Sequence, residues 1–139
     1  MEENRIRILV VDDEEVVRLG YRRVLSGDGF RVRSAGDGPE ALQAMADAPV
    51  DVVLLDLRMP GMDRLAVLQS IKERWPESEV VIVTGYPCIE TAKEAVKLGA
   101  YDYLAKPVVP EAVIRAATGA WMQKRWALQR EPERVGLDN

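Results

Sequence analysis

Residues 50–55 read Val-Asp-Val-Val-Leu-Leu, and Asp56 follows them. This stretch decides the fold. A nearly continuous apolar run of that length is a strand covered on both faces, since a half-wet strand would alternate. Outward from it, residues 6–11 (IRILVV) and 79–83 (EVVIV) read as two more strands. Residues 30–35 (FRVRSA) alternate, with Phe30 and Val32 on one side and Arg31 and Arg33 on the other, so this strand is an edge. Residues 101–105 (YDYLA) alternate in the same way and give the second edge.

Helical spacing fills the intervals. Residues 14–26 put Val17, Tyr21, Val24 and Leu25 on one face; residues 38–47 do so with Ala41, Leu42 and Met45, and Pro39 sits in the first turn. Residues 63–74 carry Leu65, Leu68 and Ile71 and stop before Pro76. Residues 89–98 carry Ile89, Ala92 and Val96 and are closed by Gly99. Residues 110–128 form a last helix, with Ile114, Ala117, Trp121 and Leu128 on its core stripe and Met122 and Trp126 pointing away. Residues 129–139, with Pro132 and Gly136, read as a flexible C-terminal tail.

Five strands in strict alternation with five helices imply a parallel sheet with helices on both faces. With strands 2 and 5 as edges, the order is 2-1-3-4-5: an α/β, flavodoxin-like doubly wound sheet. A chain of 139 residues makes one domain that buries roughly two thirds of its surface.

Composition removes whole classes of function. There are no histidines, so serine–histidine and cysteine–histidine catalysis and imidazole metal ligation are excluded. The single cysteine, Cys88, allows no internal disulfide and suits a reducing cytoplasm. Nineteen Lys and Arg against 23 Asp and Glu leave a net charge of −4, a poor balance for gripping phosphate backbones, so direct nucleic-acid binding is not expected. No apolar run approaches the roughly 18 residues that span a membrane, and residues 1–7 lack a signal peptide's apolar core.

Open parallel sheets bind ligands at the carboxyl ends of their strands. Here strand 1 ends in Asp12-Asp13, strand 3 in Asp56, strand 4 in Thr84 and strand 5 in Lys106. Three carboxylates in one crevice repel by roughly 3 kcal/mol per pair at about 5 Å. Such a cluster calls for a hard cation with oxygen ligands, and Mg²⁺ is the best fit. A hydroxyl and an amine beside it suit the oxygens of a phosphoryl group. A carboxylate can itself be the nucleophile, and Asp56, alone at the centre of the sheet, takes that role. Taken singly, each residue has a plain structural alternative: Asp12 and Asp13 as helix caps, Asp56 as a loop residue, Thr84 and Lys106 as ordinary strand ends.

These residues, with the run Asp56-Leu57-Arg58-Met59-Pro60-Gly61-Met62-Asp63, the Thr84-Gly85 step and the stretch GAYDYLAKP at 99–107, resemble the receiver domain of two-component response regulators. The resemblance covers about residues 5 to 125, and residues 1–128 are read as the receiver. It implies a phosphoacceptor that takes its phosphoryl group from a sensor histidine kinase, a histidine phosphotransfer protein or a small phosphodonor, rather than a conventional turnover enzyme. By match, Asp56 is the phosphoacceptor. Asp12, Asp13, Asp56 and the backbone carbonyl of Arg58 hold Mg²⁺. Thr84 and Tyr103 form the switch pair, Lys106 binds a phosphoryl oxygen, and the Lys106–Pro107 peptide is cis. The resemblance also implies a cytoplasmic protein and a homodimer through helix 4, strand 5 and helix 5. The stretch TGYPCIETAKEAVKLGAYDYL is most like receivers attached to ATPase transcription activators. With about ten residues after the last helix, the chain is either a stand-alone receiver or part of a longer regulator.

Two positions depart from the family pattern. Arg64 stands where glycine is common, which implies a strained loop or a shifted helix start. Pro87 stiffens the loop after Thr84. The competing reading is a Mg²⁺-dependent aspartyl-phosphate hydrolase of haloacid-dehalogenase type. It wants a second carboxylate two residues after the nucleophile, and position 58 is arginine.

Overall fold

The structure is a computed structural model and describes residues 5–57 and 64–138. Its elements are β1 (Arg7–Val11), α1 (Glu15–Gly27), β2 (Arg31–Ala35), α2 (Gly38–Asp47), β3 (Val52–Asp56), α3 (Arg64–Arg74), β4 (Glu79–Thr84), α4 (Ile89–Lys97), β5 (Asp102–Ala105) and α5 (Pro110–Asp138). All strand pairs are parallel and the order is β2-β1-β3-β4-β5, as the edge patterns predict.

Alternation along the strands splits the core into two layers. Val53 and Leu55 of β3 pack with Leu9, Val80 and Ile82 against Met45 of α2, Leu68 and Ile71 of α3 and Ala95 of α4. Val52 and Leu54 face the other way, with Ile8, Val10, Val81 and Val83, against Leu25 of α1 and Val113, Ala117 and Ala120 of α5. β3 is buried along its whole length, which is why its sequence does not alternate.

Two sequence readings need correction at α5. The helix does not stop at residue 128 but continues to Asp138. The Gln, Arg and Glu residues of 129–134 are good helix formers, and they outweigh the single Pro132. Leu128, placed on the core stripe by spacing, is 44% exposed, because the helix has passed the edge of the sheet by then. Met122 and Trp126 are exposed, as the spacing predicts. Arg64 has helical backbone as the first residue of α3, and among the described residues no non-glycine has a positive φ. Here the departure from glycine coincides with a helix start and not with strain. The Lys106–Pro107 peptide is cis.

Candidate functional site

The order of the sheet reverses between β1 and β3, and the crevice opens there. Val11 lies level with Leu55 in the parallel register, so the next residues, Asp12 and Asp56, emerge side by side. Asp13 follows on the loop. One carboxylate oxygen from each of Asp12, Asp13 and Asp56 lies within 4.8 Å of the others. Asp12 and Asp56 are buried and Asp13 is exposed, so the cluster is open to solvent on one side.

Lys106 comes from the far edge of the sheet. Its amide donates to the Thr84 carbonyl at 2.7 Å, and its side chain crosses β4 to reach the crevice. Nζ lies 3.2 Å from Asp12 Oδ2 and 3.4 Å from Asp56 Oδ2. Burial alone would lower the Lys106 pKa, but the negative charges of Asp56 and Asp12 outweigh it and hold the ammonium above its ordinary range. Burial pushes the Asp12 carboxyl up. The amide of Glu14 and the Lys106 ammonium oppose that rise, and the charge of Asp56 adds to it.

Every polar atom of Asp12 is held. Its amide donates to the Ala35 carbonyl at 3.1 Å, Oδ1 accepts from the Glu14 amide at 3.0 Å, and its carbonyl accepts from Arg18 Nη1 at 2.7 Å. Thr84 is buried at the end of β4, and its hydroxyl accepts from the Tyr86 amide at 3.0 Å. The Tyr103 hydroxyl accepts from the Cys88 amide at 3.3 Å. The two residues that the resemblance pairs as a switch therefore both hold amides of one loop, 85–88.

The sequence-predicted residues Asp12, Asp13, Asp56 and Lys106 meet in one place. Thr84 ends the strand next to β3, while Tyr103 engages the neighbouring loop. Arg58 lies outside the described residues. Sequence reasoning missed the hold of Arg18 on Asp12, and it put Tyr21 on the apolar face of its helix without linking it to the site. The Tyr21 phenol is half-buried and pushed up by burial, with Lys106, Asp12 and Asp56 all acting on it. Spacing could have found both residues: one and two turns into α1, they face back toward the crevice that the helix leaves.

Residues 8–118 match the response regulator receiver domain family. This chain belongs to that family. It is 43% identical over 134 residues to the DNA-binding transcriptional regulator NtrC of Escherichia coli K12, a match covering 94% of this chain and 28% of that protein. An NtrX-like response regulator of Rickettsia bellii is 43% identical over 104 residues, covering 73% of this chain and 22% of the relative. Receiver structures superpose well. One from Clostridium thermocellum has a TM-score of 0.83 at 32% identity, covering 88% of this chain and 98% of that one. The receiver domain of NtrX from Brucella abortus has a TM-score of 0.78 at 40% identity, covering 83% and 98%. The receiver spans about a quarter of the length of the curated relatives it matches. As a receiver of NtrC/NtrX type it is a phosphoacceptor module of two-component signalling, and the hydrolase reading is not favoured.

Proposed function

We propose that Asp56 is the phosphoacceptor and that Asp12, Asp13, Lys106 and Thr84 serve the transfer. The observation that carries this reading is the meeting of three carboxylates within 4.8 Å, two of which, Asp12 and Asp56, share one ammonium. An Asp56 oxygen attacks phosphorus as the bond from phosphorus to the donor nitrogen breaks, and the leaving imidazole takes a proton. These 139 residues hold no histidine, so that imidazole lies outside them, and the reading assigns it to a sensor kinase or a histidine phosphotransfer protein. The Lys106 ammonium then pairs with a phosphoryl oxygen, and the Thr84 hydroxyl donates to another.

The donor set fits Mg²⁺: oxygen ligands only, an open side at Asp13, and mutual repulsion that one ammonium offsets only in part. Asp12, Asp13 and Asp56 would hold the ion, with the Arg58 carbonyl. Bound there, Mg²⁺ would neutralise charge on the transferring group.

For the switch, turning Thr84 toward a phosphoryl group gives up its bond to the Tyr86 amide, and that loosens the loop which Tyr103 holds at Cys88. The α4, β5 and α5 surface then changes. Exposed Ile89, Val96, Met122 and Trp126 give that surface apolar area for a homodimer. Residues 1–128 are the phosphoacceptor unit, and 129–139 lead on from it. The sub-family likeness supports a unit that works as part of a transcription activator. A free Cys88, and no described helix long and apolar enough to cross a membrane, support action in the cytoplasm.

The test is intact-mass measurement after mixing with acetyl phosphate and MgCl₂. The wild type should gain one phosphoryl group and Asp56→Asn none. Full incorporation in the variant would move the acceptor elsewhere.

A further inference from the structure

We propose that Arg18 is a positioning residue for the acidic loop after β1, setting the metal affinity of the site through the main chain. This rests on the reading that Asp12 and Asp13 hold Mg²⁺. Three of the four polar contacts of Asp12 come from neighbouring backbone or from Lys106 of the site itself. The fourth comes from the Arg18 side chain in α1, which donates from Nη1 to the Asp12 carbonyl at 2.7 Å.

That carbonyl belongs to the peptide joining Asp12 to Asp13. Fixing its direction fixes the direction in which Asp13 leaves the loop. Asp13 is exposed, so packing does little to orient it, and the tether on the preceding peptide matters more. The fold also keeps room for this arginine. A Cβ at Gly36 would stand 3.4 Å from Arg18 Nη1 and 3.2 Å from Glu40 Oε1. The guanidinium stays charged at every pH at which the protein folds, so the tether persists wherever the metal binds. Groups that orient metal ligands from behind typically account for about 10- to 100-fold in metal affinity. A contact acting through one peptide belongs at the low end, near ~10-fold.

Titration calorimetry of the full chain with MgCl₂ tests this on wild type, Asp13→Asn, Arg18→Met and Arg18→Lys. Wild type should bind, Asp13→Asn should lose binding, and Arg18→Met should bind about 10-fold more weakly. Arg18→Lys should recover much of the loss, because an ammonium can donate to the same carbonyl. Melting in EDTA should leave both Arg18 variants folded. Failure of wild type to bind Mg²⁺ would overturn the metal reading itself. Unchanged affinity in Arg18→Met, against a binding wild type, would overturn the role of Arg18 alone. So would a transfer defect seen only with a partner kinase, which would make Arg18 a partner contact. An Arg18→Met protein unfolded in EDTA, with Arg18→Lys folded but as weak in Mg²⁺ binding as Asp13→Asn, would also overturn the positioning role.

Discussion

Asp51 immediately precedes β3, at the opposite end from Asp56, and is 7% exposed. Its Oδ2 accepts from the Arg7 amide at 2.8 Å, and its Oδ1 accepts from Lys124 Nζ at 2.5 Å. Burial pushes the carboxyl up, but those donors outweigh it and hold Asp51 below its ordinary 3.8. A carboxyl depressed in the folded state stabilises fully above its unfolded pKa, and the contribution is lost as pH falls through the folded value. Lys124→Met should therefore cost about 1.5–3 kcal/mol at pH 7 in urea unfolding, the usual worth of a hydrogen bond to a charged group. The gap between wild type and Asp51→Asn should narrow as pH falls below about 4. In the sequence, Asp51 is only a polar interruption of an apolar run. Its partner lies 73 residues away, on the last helix, and no local pattern joins the two.

Among the elements, α2 is defined by chemistry at its first turn. Asp37 Oδ1 accepts from the Glu40 amide at 2.9 Å, Glu40 Oε1 accepts from the Gly36 amide at 2.7 Å, and Pro39 occupies a position that needs no donor. Asp37→Ala should cost about 1 kcal/mol, read as a melting temperature lower by about 4 °C. Asp37→Asn should restore most of it. Elements of this kind were legible because their signals are local: caps, prolines and spacing. The end of α5 was not. Pro132 is a local stop signal that the backbone overrides, and the exposure of Leu128 depends on where the sheet ends beneath the helix, a fact of tertiary packing.

At the level of the whole molecule, three carboxylates gathered at one end of a folded sheet make the unfolded chain the less repelled state. A divalent ion should reverse that. With a dissociation constant of about 1 mM, 10 mM Mg²⁺ would add about 1.4 kcal/mol. Thermal unfolding should rise accordingly, by about 5 °C. Asp13→Ala should melt higher than wild type in EDTA and show no response to Mg²⁺. An unchanged response would remove Asp13 from the ligand set. The site was legible at this scale because a parallel sheet delivers all its strand ends to one rim, so that Asp12, Asp56, Thr84 and Lys106 could be grouped from strand boundaries alone. Arg18 and Tyr21 were not grouped with them, since strand counting ignores helices; only the spacing along α1 turns them back toward the rim.

The arginines of β2 carry one more consequence. β2 is an edge, and an edge strand presents free backbone donors and acceptors to any other strand that drifts by. Arg31 is exposed on it, and Arg33 turns its guanidinium to the carbonyls of Ala44 and Ala48 at the end of α2. One cation thus guards the rim while the other laces the neighbouring helix end across it. A second sheet docking here would have to bury the first charge and displace the second from two acceptors, so this flank resists the strand-to-strand stacking that begins aggregation.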